Sequence, residues 1–157
     1  MRWERDGYEV DTDRERLDRE GIHAFLAESY WARGVERDSV ERAIEHSLCF
    51  GLHREGRQVG FGRVVSDRAR FAYLADVYVL DAHRGRGLGK WLVSCALEHP
   101  ELAGVWRWLL ATADAHGLYA QLGFAPLASP TRFMVLQRRE AAPKAEGSGV
   151  PGPSPPR

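Results

Sequence analysis

A glycine-rich segment directly after an apolar run is the part of the sequence best suited to chemistry. Residues 84–90 read RGRGLGK, follow the apolar run 71–80 and precede apolar residues at helical spacing. The first N–H groups of a helix have no partner inside the helix, and the helix dipole favours negative charge there. Glycines let a backbone approach a ligand closely and adopt positive φ. The pattern predicts a loop that binds phosphate or pyrophosphate, with Arg84, Arg86 and Lys90 adding positive charge.

Two common phosphate-binding motifs do not fit this loop. The Walker pattern needs a Ser or Thr after its lysine, but Trp91 follows Lys90. The dinucleotide fingerprint needs its third glycine three residues after the second, but Gly89 follows Gly87 by two. A glycine-rich helix start without any ligand is the plain alternative, although the conformational freedom lost at each glycine favours a ligand.

Two short motifs about thirty residues apart carry a family resemblance. Arg84, Gly87 and Gly89 match the pattern [RQ]-x-x-G-x-[GA] and follow a V-x-V strand. Residues 115–124, AHGLYAQLGF, match A-x-x-x-Y-x-x-x-G-F. Together with the order of predicted elements, these motifs resemble the GNAT superfamily of acyl-CoA-dependent N-acyltransferases.

The resemblance implies acetyl-CoA as the acyl donor and no metal cofactor. In such enzymes the main-chain amides of the loop hold the pyrophosphate, and the preceding strand holds the pantetheine arm. Thr112 stands where family members commonly carry asparagine, and its hydroxyl can still bond to pantetheine amides. The donor-binding residues implied are Val77, Tyr78, Val79, Arg84, Gly85, Arg86, Gly87, Leu88, Gly89, Lys90 and Thr112.

Two side chains are candidates for proton transfer. The resemblance implies that Tyr119 protonates the departing thiolate, since a phenol can donate a proton as charge develops on sulfur. The alternative is a tyrosine that only packs beneath the donor. Asp76 is a candidate base, because burial within the strand would suit it to proton abstraction near neutral pH. The alternative for Asp76 is a structural carboxylate, and Tyr73 is the next candidate, as a water-holding group.

The acceptor is expected to be a primary amine that attacks the thioester directly in a ternary complex. Cys49 and Cys95 lie in apolar patterns, which argues against a covalent cysteine intermediate. Tyr30 and Trp31, with Tyr73, are the candidate acceptor-binding residues, because an aromatic pair beside charges can stack on a cation. The alternative for Trp31 is a side chain at a helix C-terminus that packs on the core. A CoA-binding regulatory module without turnover, and a protein that binds another nucleotide, remain alternatives.

These residues need a sheet and helices to position them. Hydrophobic periodicity predicts a strand at residues 8–10, helices within 13–34 and 38–48, and a hairpin around residues 55–57. A strand over 70–80, apolar at nearly every position, is predicted to be buried on both faces and central. A helix, a strand, a short helix and a last strand over 132–138 complete the expected order.

The fold class expected is therefore α+β. The resemblance implies a GNAT fold, with a mixed, mostly antiparallel sheet of six to seven strands splayed around one parallel pair and flanked by four helices.

Composition limits the organisation and the partners of the chain. Residues 1–140 are expected to form a single domain, and the Pro-, Gly- and Ser-rich residues 141–157 a disordered tail. Lys plus Arg equals Asp plus Glu at 22 each, so no nucleic-acid partner is expected. No run approaches about 20 apolar residues and the first ten residues include no apolar signal region, which predicts a cytoplasmic protein without membrane contact. The resemblance makes a homodimer a further expectation.

Overall fold

The structure, a computed structural model, describes residues 1–138. It has the α+β architecture expected: six strands, four helices and several short 3₁₀ turns within these residues. The elements in chain order are β1 (Arg2–Arg5), β2 (Tyr8–Asp11), α1 (Arg19–Glu28), α2 (Arg37–Glu45), β3 (Leu48–Arg54), β4 (Arg57–Ser66), β5 (Phe71–Val79), α3 (Leu88–Leu97), β6 (Arg107–Leu109) and α4 (His116–Ala120).

One six-stranded sheet runs in the order β1-β2-β3-β4-β5-β6. Every neighbouring pair is antiparallel except β5 and β6, which are parallel, so the predicted mixed sheet with one parallel pair is confirmed. The β3–β4 hairpin turns at Glu55 and Gly56, both with positive φ, as a two-residue hairpin loop requires. Strand β1 was not predicted; it pairs with β2 through a turn at Asp6 and Gly7.

The first two helices are shorter than their patterns suggested. The Asp18 carboxylate accepts a hydrogen bond from the Gly21 N–H at 2.9 Å and caps α1, so this helix begins at Arg19 and not near residue 13. Helices α1 and α2 share one apolar cluster with Phe61 and Tyr78, and α3 packs into a second cluster with residues of β2 to β5. Successive side chains of a strand point to opposite faces of the sheet, so the same strands contribute apolar side chains to both clusters.

Strands β5 and β6 separate soon after they pair. Their ladder covers only Phe71 to Tyr73 on β5, although β5 continues to Val79. The register of β4 and β5 also shifts between Phe61 and Arg63, and Asp76 has a φ of 54°. Residues 75–77 are consequently half-buried, so the prediction that this strand is buried on both faces is wrong there. A bulge and a splay at this point open a cleft beside the strand.

The C-terminal part forms a unit of its own from Pro126 onwards, distinct from Met1–Ala125. In residues 126–138 the backbone makes a 3₁₀ turn at Pro130–Arg132, and the strand predicted over 132–138 is absent. Backbone hydrogen bonds of Arg132 and Phe133 return to the same turn, which provides no neighbouring strand. The predicted boundary at residue 140 and the tail 141–157 lie outside the described residues. Within residues 1–138, no helix is long and apolar enough to cross a membrane.

Candidate active site

The glycine-rich loop has the geometry of an anion-binding helix start. Gly85 and Gly87 have φ values of 75° and 69°, a region that favours glycine. Gly87 caps α3 without any side-chain hydrogen bond, and the Trp91 N–H, which bonds to the Gly87 carbonyl at 3.0 Å, makes the first bond of the helix. The N–H groups of residues 88–90 therefore have no acceptor inside the helix and can bind a ligand.

Space at the loop also fits a ligand with clustered phosphates. A Cβ built on Gly85 would meet nothing within 4 Å, and one on Gly87 only the Arg5 guanidinium, at 3.9 Å. These glycines therefore leave open space that the protein does not fill itself. The backbone of the loop is exposed, has positive φ at Gly85 and Gly87, and lies at a helix N-terminus. The residues present therefore fit the pyrophosphate of a CoA thioester.

The three basic side chains of the loop have different partners. The Arg84 guanidinium donates to the Val79 carbonyl at 2.9 Å and forms an ion pair with Asp81 at 2.8 Å. The Lys90 ammonium donates to the Gln121 side chain at 3.0 Å and so links α3 to the segment after α4. Arg84 thus braces the junction between strand and loop, and of these three side chains Arg86 alone makes no hydrogen bond or ion pair within the described residues.

Main-chain groups of β5 face the cleft at alternate residues. The Leu80 N–H donates to the Val59 carbonyl of β4 at 2.8 Å. Since main-chain groups alternate sides along a strand, those of Tyr78 face β4, and those of Val77 and Val79 face away from it, into the cleft. The Tyr78 ring is buried and stacks on Phe25 with centroids 3.8 Å apart. The main chain of Val77 and the N–H of Val79 can therefore pair with a ligand there, because the Val79 carbonyl already accepts from Arg84.

A cavity of about 510 Å³ connects this strand to the loop, and we call it the loop cavity. Its volume falls in the range of small-molecule sites. Every predicted donor-binding residue except Arg86 and Thr112 lines it. The lining residues are Tyr30, Trp31, Val77, Tyr78, Val79, His83, Arg84, Gly85, Gly87, Leu88, Gly89, Lys90, Asp114, Ala115, Leu118, Tyr119 and Gln121.

A second cavity of about 610 Å³ lies along the splayed part of β5, and we call it the aromatic cavity. It brings together the predicted acceptor-binding and proton-transfer residues. Its lining residues are Tyr30, Trp31, Arg63, Tyr73, Leu74, Ala75, Asp76, Val77, Ala111, Thr112, Ala113, Asp114, Ala115 and Tyr119. Six residues line both cavities, so the two spaces share a wall that consists of Tyr30, Trp31, Val77, Asp114, Ala115 and Tyr119.

Asp76 occupies the bulge of β5 and is bound on both oxygens. Its Oδ1 accepts from the Trp31 indole N–H at 3.2 Å, and its Oδ2 pairs with the Arg63 guanidinium. Arg63 also donates to the Ser47 hydroxyl at 3.2 Å. The carboxylate is thus half-buried and paired, not the isolated buried group that the candidate base was expected to be. Sequence reasoning missed Arg63, because a partner on the neighbouring strand leaves no local motif.

Tyr119 lies on α4 where the two cavities meet. Its ring packs on Phe124 at right angles, with centroids 5.8 Å apart, and against the larger apolar cluster. Burial raises the pKa of its phenol, and the neighbouring Tyr30 and Asp114 add to the effect. The phenol is therefore held in its protonated form at neutral pH, as a proton donor must be.

Tyr30 bridges the segment after α1 and the segment before α4. Its hydroxyl accepts from the Ala113 N–H at 3.2 Å and lies 3.5 Å from the Asp114 carboxylate. Thr112 fixes the same segment, because its hydroxyl accepts from the Ala115 N–H at 3.0 Å. Two hydroxyl groups thus fix the backbone before α4 at Ala113 and Ala115, beside the shared wall of the cavities.

Arg5 on β1 reaches the loop from the far edge of the sheet. Its guanidinium donates to the carbonyls of Arg86 and Gly87 at 3.4 and 3.3 Å, and it lies 4.7 Å from the centre of the Trp91 ring. Sequence reasoning missed this residue too, since 81 positions separate Arg5 from Arg86. By binding carbonyls, Arg5 supports the orientation in which the loop N–H groups face outward.

Comparisons with known proteins agree with the fold and with the motifs. Residues 45–126 match the acetyltransferase (GNAT) domain family. A Gibberella zeae protein named as a candidate acetyltransferase is 34% identical in an alignment 143 residues long. The alignment covers 76% of this chain and 79% of the relative.

Solved structures extend the comparison. A candidate acetyltransferase of the GNAT family from Xanthomonas campestris pv. campestris is 49% identical, with a TM-score of 0.81 over 83% of this chain and 93% of that one. The structure of a candidate acetyltransferase from Clostridium acetobutylicum with acetyl-CoA is 12% identical and has a TM-score of 0.61, over 83% of this chain and 94% of that one. This last likeness concerns the fold alone.

Proposed function

The chain belongs to the GNAT family of acetyltransferases, and from this premise we propose that it transfers an acetyl group from acetyl-CoA to a primary amine. The observation that carries the proposal is the wall shared by the two cavities. The loop cavity ends in an anion-binding helix start, and the aromatic cavity holds a carboxylate and aromatic rings. A thioester whose diphosphate binds the loop would bring its acetyl group to Val77 and Tyr119, next to an acceptor in the aromatic cavity.

Direct attack accounts for the arrangement of groups. The amine nitrogen forms a bond to the thioester carbonyl carbon, the carbon–sulfur bond breaks, and the thiolate takes the proton of the Tyr119 hydroxyl. The phenolate then regains a proton from solvent before the next turnover. The raised pKa of Tyr119 keeps that proton available. Both cysteines are buried away from this chemistry, and burial raises the pKa of the Cys49 thiol to about 11 and of Cys95 to about 12, which opposes a thiolate nucleophile.

The proton lost by the amine needs an acceptor in the aromatic cavity. We assign this role to Asp76, acting through water, because its oxygens are already bonded to Trp31 and Arg63. Tyr73 lines the same cavity and is the second candidate for holding that water. An Asp76→Asn variant keeps one acceptor oxygen for Trp31 but loses the charge, so a fall in kcat at an unchanged KM for acetyl-CoA would support the assignment.

The direct test measures thiol release from acetyl-CoA with a panel of primary amines, alongside propionyl- and succinyl-CoA. The expected result is thiol release that depends on both substrates and yields an N-acetylated amine by mass spectrometry. Calorimetry with CoA and with ATP checks the donor separately. Binding of ATP without binding of CoA would overturn the proposal, and CoA binding without turnover on any amine would support the regulatory alternative.

Four further expectations stay predictions for this protein. They are a cytoplasmic location, a homodimer, the lack of a nucleic-acid partner, and a single domain that ends near residue 140. Family membership supports the use of acetyl-CoA, and the Clostridium acetobutylicum structure with acetyl-CoA shares the fold.

A further inference from the structure

The charges around the aromatic cavity do not cancel. Arg63, Asp76 and Asp114 are the charged residues that line it within the described chain. Arg63 pairs with Asp76 and also donates to the Ser47 hydroxyl, so its guanidinium is committed. Asp114 is exposed and has no ion pair in residues 1–138; its one side-chain contact there is the Tyr30 hydroxyl at 3.5 Å. One negative charge is therefore left over at the cavity.

Exposed aromatic rings surround that charge. Tyr30 and Trp31 are 58% and 43% exposed, and their rings meet at right angles with centroids 5.0 Å apart. Tyr73 and Tyr119 line the same cavity from β5 and α4. Aromatic faces attract cations, most strongly where water is partly excluded, and large aromatic side chains seldom stay exposed together without a ligand. The lining is thus complementary to a positively charged, partly apolar molecule.

We infer that the preferred acceptor is an alkylamine with a second cationic group, such as a diamine, and without a carboxylate. The inference rests on the proposed function. The reacting amine lies at the wall shared with the loop cavity, and the second ammonium pairs with Asp114 beside the rings of Tyr30 and Trp31. Among residues 1–138, Arg63 is the one cationic side chain that lines the cavity, and it is paired with Asp76; an acceptor carboxylate would therefore lack a free cationic partner there and would be repelled by Asp114.

The charge of Asp114 also affects the pKa of the Tyr119 phenol. Asp114 is among the groups that raise the pKa of the Tyr119 phenol, which indicates that its field reaches the shared wall. A second ammonium at Asp114 would lie within that field. Asp114 lines the loop cavity as well as the aromatic cavity, so the diamine would neutralise a charge that borders both spaces.

Three acceptors of equal length and different terminal charge test the inference. They are 1,5-diaminopentane, 5-aminopentan-1-ol and 5-aminopentanoate, each assayed for kcat/KM at saturating acetyl-CoA, with the diamine rate halved for its two equivalent amines. The expected order is diamine, amino alcohol, amino acid, with at least a tenfold span. The advantage of the diamine should shrink as salt rises, because exposed charges are screened.

Asp114→Asn removes the charge and should bring the diamine-to-alcohol ratio close to one. Asp38→Asn, an exposed carboxylate on α2 outside both cavities, is the matched control and should keep the wild-type ratio. Thermal melting of both variants confirms that they are folded. A ratio that Asp114→Asn leaves unchanged would overturn the inference.

Failure of the inference and failure of the proposed function give different results. Equal kcat/KM values for the three acceptors, or a preference for 5-aminopentanoate, would overturn the inference and leave amine acetylation standing. Absence of turnover with these three acceptors, when other amines are acetylated, would overturn it as well. Absence of turnover with every amine, although acetyl-CoA binds in calorimetry, would overturn the proposed function itself.

Discussion

At the scale of single residues, the candidate site contains two kinds of residue. Some belong to short sequence motifs, and others have partners that are distant in the sequence. The loop glycines and Tyr119 could be predicted as site residues because their types and spacing recur in short motifs. Arg5 and Arg63 could not, because each acts on a residue of another strand or loop. Asp76 was found, but its pairing with Arg63 depends on the bulge of β5, which no spacing of residues encodes.

Replacement of Tyr119 by phenylalanine tests its proposed role as the proton donor. Burial raises the phenol pKa above its ordinary value of about 10, so the donor is fully protonated below that value and is lost as the pH rises through the raised pKa. Wild-type kcat should therefore fall at strongly alkaline pH, and Tyr119→Phe should lower kcat by about 10²-fold and lack that fall. A pH–rate profile of each protein measures both effects. A variant with wild-type kcat and the same alkaline fall would remove Tyr119 from the chemistry.

At the scale of elements, periodicity predicted most helices and the central hairpin, but not the elements that depend on a neighbour. Strand β1 is a four-residue edge strand without an apolar alternation, so only its pairing with β2 defines it. The strand expected over 132–138 has the composition of a strand, yet a strand needs a paired backbone. Arg132 ends a 3₁₀ turn instead, and residues 133–138 are in neither helix nor strand. Strand β6 covers three residues because it diverges from β5.

Matched glycine variants test the loop before α3. Gly87 and Gly56 have φ values of 69° and 76°, and a Cβ on either is free of close protein contacts, so an alanine should strain both backbones by about 1–2 kcal/mol. Gly87→Ala should also weaken CoA binding at least tenfold, because its methyl group occupies the space over the loop. Gly56→Ala, in the β3–β4 turn, should not. Isothermal calorimetry with CoA measures the difference, and equal affinities would argue against the loop as the pyrophosphate site.

Arg5 tests whether an edge strand supports the loop. Arg5→Ala removes two hydrogen bonds to loop carbonyls and the stacking on Trp91, so KM for acetyl-CoA should rise about 3- to 10-fold while kcat changes little. Arg2→Ala on the same strand, which loses only an exposed ion pair with Glu9, is the control. Steady-state kinetics with varied acetyl-CoA separate the two parameters. Loss of kcat with KM unchanged would show that Arg5 does not act through donor binding.

At the scale of the whole molecule, the splay of β5 and β6 places the site between two apolar clusters packed around the same sheet. The predicted sheet class with its single parallel pair followed from element order, because a strand–helix–strand crossover makes neighbouring strands parallel. The width of the cleft did not follow, since it depends on where the β5–β6 ladder ends. That end point is set by packing on both sides of the sheet.

Donor binding should stabilise the molecule unevenly. At a concentration 100-fold above Kd, acetyl-CoA adds about 2.7 kcal/mol to the free energy of unfolding, so Tm should rise. Amide hydrogen exchange should slow in residues 76–90, where the backbone of β5 and the loop meets the cleft, and remain unchanged in β2 and β3. Exchange by mass spectrometry with and without acetyl-CoA measures this. Protection confined to α1 and α2 would contradict the placement of the donor.

The wall that the two cavities share also has a consequence for inhibition. A single compound in which a short acyl bridge joins the CoA sulfur to an alkyl diamine would reach from the loop cavity into the aromatic cavity along the residues that line both. Linking the two halves makes the second contact intramolecular, with an effective concentration in the millimolar range. Such a bisubstrate inhibitor would gain affinity from geometry already present in the resting protein, and it would trap the ternary arrangement for crystallisation.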